Sequence, residues 1–118
     1  MDNEVIDLKD FLDRVQDDKD LMLELFDIFM SDYQEKRQSL KEAVAKKDYE
    51  QMKSLAHSLK GASGNISAKA LRAIFIRLEE IGKANSLAGI EPLLNDLDLR
   101  YNDLVKRINE IKKEFQNA

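Results

Sequence analysis

The feature that most constrains this chain is the spacing of its apolar residues, which recur every three or four positions over long segments. That period places them on one face of an α-helix, whereas a half-buried strand would need strict alternation. The 118-residue chain also has only four glycines and one proline, too few for the turns of a β-rich fold of this length. Long helices around one core are therefore expected.

The apolar pattern divides the chain into one short and four long amphipathic segments. The short segment comes first and contains Ile6, Leu8, Phe11, Leu12 and Val15. A long helix is expected from a cap at Asp17–Asp18 to about position 46, and a second begins at a cap formed by Asp48. Ser67 is expected to cap the third long helix, and Pro92 is tolerated in the first turn of the last.

These segments predict an all-α fold: an antiparallel up-down-up-down four-helix bundle with a short N-terminal capping helix. Each long segment has an apolar stripe that can face a shared core, and the connections are short. Residues 1–118 are expected to form a single domain of this kind. The stripes contain Met22, Phe26, Phe29, Tyr33, Leu40 and Val44, then Met52, Leu55, Ala56, Leu59, Ala62 and Ser63, then Leu71, Ile74, Phe75, Leu78 and Ile81, and finally Ile90, Leu94, Leu97, Tyr101, Leu104, Ile108, Ile111 and Phe115.

Composition and charge disfavour several classes of function. The chain has no cysteine and one histidine, so a disulfide framework, a thiolate metal site and a multi-histidine metal site are not expected. Its net charge of −4 disfavours nucleic-acid binding. No apolar run is long enough to span a membrane, and the acidic start of the chain lacks the pattern of a secretory signal. We therefore expect a cytoplasmic protein with no direct membrane insertion.

The single histidine, His57, is predicted to face solvent, because it lies about 160° around its helix from the centre of the apolar stripe. Gly61 and Gly64 follow one and two turns later on the same side. A glycine inside a helix is less favourable than alanine by ~1 kcal/mol, so the missing side chains suggest a surface that another protein approaches closely. For Gly64, simple helix termination explains the glycine equally well.

Two lysines, Lys53 and Lys60, share the surface around His57, at positions i−4 and i+3. Their ammonium groups would favour an anionic adduct on the imidazole, such as a phosphoryl group. A neutral imidazole has an unprotonated ring nitrogen that can act as a nucleophile. The alternative is an inert histidine on an ordinary basic helix surface.

The segment from His57 to Ala68 reads His-Ser-Leu-Lys-Gly-Ala-Ser-Gly-Asn-Ile-Ser-Ala and resembles a known family signature. The family is that of histidine-containing phosphotransfer (HPt) domains of bacterial two-component phosphorelays. Its signature is His-x-Leu-Lys-Gly followed by small residues and then by an apolar residue with Gly-Ala. The similarity extends over nearly the whole chain. Ser67 stands where the family usually has glycine.

The resemblance implies a role for each matching residue. His57 would be the phosphoacceptor through Nε2, Lys60 would lie beside the phosphoryl oxygens, and Gly61 would leave room for the partner. The family often has a glutamine or glutamate on the next helix that binds the other ring nitrogen, and Glu79 occupies that position here. Further candidates for partner docking are Lys53, Gly64 and Ile76, while Phe11 and Leu12 fit either docking or core packing.

The function implied by the resemblance is that of a phosphorelay carrier. A phospho-aspartate on a response-regulator receiver domain would donate its phosphoryl group to His57, which would pass it to an aspartate on another receiver. The chain lacks the phosphate-binding glycine loop of an ATP-using kinase and an acidic cluster for Mg²⁺ around His57, so no bound cofactor and no metal site are expected on it, and Mg²⁺ is expected on the receiver. We expect a monomer, either free-standing or part of a hybrid sensor histidine kinase.

Three other functions remain open from the residues. The chain could be the N-terminal phosphoacceptor domain of a chemotaxis-type histidine kinase, with ATP as the donor, or a non-catalytic helical interaction module in which His57 is incidental. Hydrolysis by Glu79 and Glu80 is the third, although adjacent helix residues point about 100° apart and do not converge. Whether the domain counts as an enzyme is also open, since it would form a phosphohistidine intermediate without ATP-dependent kinase activity of its own.

Overall fold

The computed structural model describes residues 5–116, which form five α-helices. They are α1 (Leu8–Arg14), α2 (Lys19–Lys46), α3 (Tyr49–Asn65), α4 (Lys69–Ala84) and α5 (Ile90–Gln116). No strand occurs among these residues, so the all-α prediction is confirmed. Within the same residues, no helix combines the length and apolarity needed to cross a bilayer.

Three of the helices begin at aspartate side chains that accept a hydrogen bond from the first turn. Asp7, Asp18 and Asp48 each accept from the backbone N–H three residues ahead, at 3.1, 3.0 and 3.1 Å. These bonds satisfy donors that the start of a helix otherwise leaves unpaired. The predicted helix starts at Asp18 and Asp48 are therefore confirmed.

The core contains residues of all five helices, and the predicted stripes supply most of it. Its largest fully buried side chains are Phe11, Met22, Phe26, Leu40, Met52, Leu59, Leu71, Phe75, Leu78, Leu97, Leu104 and Ile108. Phe11 packs edge-on against Phe26 with ring centroids 5.2 Å apart, which attaches α1 to α2 and excludes Phe11 from partner docking. Leu12 is partly buried against the same core. Near the end of α2 the buried residue is Ala43, and the predicted Val44 is only partly buried.

Polar contacts show how α2 lies against α5. Arg37 of α2 donates two hydrogen bonds to Asp98 of α5, at 3.0 and 3.2 Å. Asp27, nearer the start of α2, accepts at 2.7 Å from Lys112, nearer the end of α5. The later residue of α2 thus contacts the earlier residue of α5, and the earlier residue of α2 contacts the later residue of α5, so the two helices are antiparallel. α3 packs against α2 and α4, and α4 packs against α5. The complete up-down-up-down order of the four long helices stays a prediction.

The turn between α3 and α4 differs from the prediction at Ser67. The residue that precedes α4 is Ala68, and it makes no side-chain cap, so the prediction that Ser67 caps this helix is wrong. A capping residue usually has extended backbone, whereas Ser67 has a φ of 59°, in the left-handed region that favours glycine. Its buried hydroxyl donates instead to Asp10 Oδ2 of α1 at 2.7 Å. The backbone N–H of Asp7 donates to the Ser67 carbonyl at 3.0 Å, so two hydrogen bonds attach α1 to this turn.

We predict that Ser67→Ala lowers the free energy of unfolding, because it removes the bond to Asp10 and keeps the left-handed backbone. Ser67→Gly also removes that bond but relieves the backbone, so it should be more stable than Ser67→Ala by about 1 kcal/mol. Urea unfolding followed by circular dichroism measures both variants. Equal stability of the two would show that the backbone of this turn is not strained.

Candidate functional site

His57 lies in the middle of α3 and projects into solvent, with 68% of its side-chain surface exposed. The prediction that it faces away from the core is confirmed. Ala56 and Leu59, on the opposite side of the helix, are fully buried. The core therefore holds α3 in place through one face, while the imidazole on the other face stays accessible.

One nitrogen of the His57 ring faces Glu79 of α4. Nδ1 lies 3.1 Å from Glu79 Oε2. An ionised carboxylate can only accept hydrogen bonds, so this contact assigns the proton of the neutral ring to Nδ1, which donates to Oε2. The assignment leaves Nε2 unprotonated, with a lone pair available for attack. Among residues 5–116, Glu79 is the one side chain that binds the ring.

Glu79 is the only buried carboxylate in the described part of the chain, and two partners compensate its charge. Lys60 of α3 donates from Nζ to Oε1 at 2.8 Å, while Nδ1 of His57 occupies Oε2. The hydrogen bond from Lys60, supported by the bond from His57, holds the pKa of Glu79 below its ordinary value, although burial acts in the opposite direction. Glu79 is therefore ionised at neutral pH.

Both lysines that the sequence places beside His57 have acidic partners. The ammonium group of Lys60 binds Glu79, and its predicted contact with phosphoryl oxygens stays a prediction. Lys53 pairs with Glu50 of its own helix at 3.1 Å. Positive charge thus lies on both sides of the imidazole along α3, and each lysine is held by a carboxylate.

The distance between His57 and Glu79 depends on a close approach of α3 and α4 at Gly82. A Cβ added to Gly82 would lie 3.0 Å from both the Cβ and the backbone nitrogen of Lys53, so a larger residue would force the helices apart. This contact lies about one turn from the His57–Glu79 pair on each helix. Sequence reasoning missed Gly82. The available signal was a glycine at a stripe position, four residues after the buried Leu78.

Gly61 and Gly64 both lie inside α3, which continues to Asn65, and neither has a positive φ. Helix termination therefore does not explain them. A Cβ added to Gly61 would meet no atom within 4 Å, whereas one added to Gly64 would approach the side chain of Arg72 at 3.4 Å. The surface beside the imidazole is thus open at Gly61 and bordered by α4 at Gly64.

Gly64 and Ile76 line the same groove, which has a volume of about 450 Å³ and lies between the ends of α1, α3 and α4. Arg72 and Ser67 also line it. Ile76 is partly buried there. The structure therefore brings Ile76 together with Gly64 in one groove, and Gly64 lies two turns after His57 on α3. Their roles in docking stay predictions.

On the side of α3 that faces α2, sequence reasoning missed Lys36 of α2. Its Nζ donates to Ser58 Oγ at 2.7 Å and pairs with Asp32 at 2.9 Å. Ser58 directly follows His57, so a third lysine binds α3 at the residue after the histidine. Lys36 precedes Ser58 by 22 residues, so no short-range sequence pattern predicts this contact.

The carboxylates of Glu79 and Glu80 do not converge, because Glu79 is buried against His57 and Glu80 is exposed. This placement argues against paired-carboxylate hydrolysis. In residues 5–116, no three histidine, cysteine or acidic side chains come together as a potential metal site.

Most of the chain matches a known protein family. A family model described as "Hpt domain" matches residues 24–113. The match includes all of α3 and α4 and most of α2 and α5, and it begins after α1. Comparisons with curated proteins and with solved structures found no match.

Ionisation of Glu79 should make stability depend on pH. Because its folded-state pKa is lowered, the ionised group stabilises the fold above the ordinary glutamate pKa, and this contribution is lost as the pH falls through the lowered value. We predict that the advantage in unfolding free energy of the wild type over Glu79→Gln shrinks as the pH is lowered from 7 towards 3. Denaturant unfolding across this range measures it. Glu80→Gln, which makes the same change of charge at an exposed position, is the control. A stability advantage of the wild type over Glu79→Gln that does not vary with pH would contradict the prediction.

Proposed function

Because the chain belongs to the Hpt domain family, whose members transfer phosphoryl groups through a histidine in phosphorelays, we propose that His57 is its phosphoacceptor. His57 would accept the phosphoryl group of a phospho-aspartate on a receiver domain and pass it to the aspartate of another receiver. The observation that supports this role most directly is the arrangement of the ring: it is exposed, Nδ1 is bound by Glu79, and Nε2 is left unprotonated.

The transfer step needs positioning and charge stabilisation more than covalent chemistry by the protein. Nε2 attacks phosphorus as the bond between phosphorus and the aspartate oxygen breaks. Glu79 fixes the tautomer and the ring orientation, and Lys60 places positive charge beside the site. We propose that this chain binds no cofactor, and that Mg²⁺ and the acidic residues that bind it belong to the receiver.

The same surface would form the docking site for the receiver. Gly61 leaves an open approach beside the ring, and Gly64 and Ile76 line the neighbouring groove. Lys53 and Lys60 would complement the acidic pocket of a receiver and increase the rate of encounter.

The proposal includes the direction of the helices, the oligomeric state and the location in the cell. We propose that the four long helices alternate in direction, consistent with the antiparallel contacts between α2 and α5. One continuous core built from all five helices favours a monomer. We propose a cytoplasmic domain, either free-standing or part of a hybrid sensor histidine kinase.

Incubation with a phosphorylated receiver domain tests the proposed function. The wild type should take up a phosphate that is labile in acid and stable in base, as expected for phosphohistidine, and His57→Gln should take up none. A second, unphosphorylated receiver added afterwards should then gain the phosphate. The proposal is rejected if His57→Gln accepts phosphate as well as the wild type does.

Gly61→Ala should separate docking from chemistry. Beyond the adjoining backbone of its own helix, the added methyl group meets no atom within 4 Å, and alanine is favoured over glycine inside a helix by ~1 kcal/mol, so stability should hold or rise. The methyl group lies on the histidine's side of α3, so we expect slower transfer from a phosphorylated receiver. Loading of His57 by phosphoramidate, a donor too small to need docking, should be unchanged. Unchanged transfer from the receiver would show that docking does not need the bare backbone at Gly61.

A further inference from the structure

The group that faces Nδ1 of His57 is a carboxylate, which accepts hydrogen bonds and cannot donate them while it is ionised. When Nε2 of a neutral imidazole bonds to phosphorus, the ring becomes cationic and Nδ1 bears its proton. A phosphorylated ring that then loses this proton has a bare lone pair on Nδ1. Beside Glu79, the lone pair and Oε2 would be two acceptors only 3.1 Å apart, which is unfavourable.

We propose that Glu79 keeps the proton on His57 Nδ1 throughout phosphoryl transfer, so that the phosphorylated ring remains a phosphoimidazolium. This inference rests on the proposed function, since it concerns the phosphorylated form of the same site. During loading, the bond from phosphorus to the aspartate oxygen breaks and the Nε2–P bond forms, and no proton moves. During unloading, an aspartate oxygen of the second receiver bonds to phosphorus as the electron pair of the Nε2–P bond returns to Nε2, and the ring is again neutral with its proton on Nδ1.

The retained proton determines how readily the phosphoryl group leaves. From a phosphoimidazolium, the leaving group is a neutral imidazole. From a deprotonated phosphoimidazole, it would be an imidazolate anion, which is a much poorer leaving group. A phosphohistidine held in the protonated form therefore transfers its phosphoryl group readily and is also hydrolysed readily.

The cations around Glu79, Lys60 of α3 and Lys83 of α4, support this role of the carboxylate. The carboxylate is ionised because Lys60 donates to Oε1 at 2.8 Å, and Lys83, one turn further along α4, also lowers the pKa of this carboxyl group. With Oε1 occupied by Lys60, Oε2 is the oxygen that remains for the imidazole. The negative charge of Glu79 is thus directed at Nδ1.

Two other cations, one on α2 and one on α3, act in the opposite direction. Lys53 lies one turn before His57 and is paired with Glu50. Lys36 of α2 is paired with Asp32 and reaches across to Ser58, the residue that follows His57. These cations disfavour a positive ring, so retention of the proton depends on the contact with Glu79.

A glutamine at position 79 would remove this constraint without removing the hydrogen bond. Its amide oxygen can accept from a protonated Nδ1, and after rotation its NH₂ group can donate to a bare Nδ1. Glu79→Gln should therefore still accept a phosphoryl group, but the phosphorylated ring should lose its Nδ1 proton at a lower pH. The phosphoryl group should then stay on His57 longer at neutral and alkaline pH.

The test follows Nδ1 directly in the phosphorylated full chain. The protein is labelled with ¹⁵N-histidine and loaded with phosphoramidate, and because it has one histidine, the ¹⁵N spectrum reports this ring alone. We expect the midpoint for loss of the Nδ1 proton to be lower in Glu79→Gln than in the wild type by about one pH unit, with roughly tenfold slower hydrolysis at pH 8. Glu80→Gln changes the same charge at the next position and should behave like the wild type.

Equal midpoints in the wild type and Glu79→Gln would overturn the proposal, as would a phosphorylated wild-type ring that has lost its Nδ1 proton by pH 7. If Glu79→Gln fails to fold or to take up phosphate, the wild-type titration decides alone. Failure of the proposed function gives a different result: phosphoramidate loads the ring, but no receiver domain exchanges phosphate with it. The protonation of the loaded ring is measured in either case, so the two failures are distinguishable.

Discussion

The close packing of α3 against α4 determines the chemistry available at His57. Gly82 has no side chain to separate the two helices at Lys53, and one turn away the same interface places Glu79 beside the imidazole. A buried carboxylate is unfavourable unless its charge is compensated. Lys60 and the Nδ1–H group of His57 provide that compensation. The contacts that stabilise Glu79 are therefore also the contacts that orient the ring and leave Nε2 unprotonated.

The bundle keeps this site rigid while leaving it accessible. The buried face of α3 packs into the core, and the opposite face presents His57 and the open surface at Gly61. Between α2 and α5, Tyr33 and Tyr101 stack with ring centroids 3.9 Å apart, and burial raises the pKa of both hydroxyls. Such packing keeps the supporting helices in one arrangement, which a transfer reaction that depends on positioning requires.

Sequence reasoning succeeded where the information is local. The three-four period predicted the helices, the aspartates at positions 18 and 48 predicted helix starts, and angular position predicted that His57 is exposed. It failed at Ser67, because a serine before a helix is typical of a cap whatever the turn. The left-handed φ of Ser67 and its bond to Asp10 depend on how α1 lies against that turn. The usual glycine of the family at this position was the available signal.

Helix formation, the buried and exposed faces and the candidate histidine all follow from the order of residues, because they depend on a repeat of a few positions along one helix. The contacts of the site join residues far apart along the chain, and the family resemblance is what indicated Glu79 as a partner of the ring. Glu79 lies 22 positions from His57, and Lys36 lies 22 positions from Ser58 on the other side. Antiparallel geometry predicts the level at which such residues meet. The rotation and separation of packed helices decide whether they bond, and a small residue such as Gly82 at one contact point permits the close separation of α3 and α4.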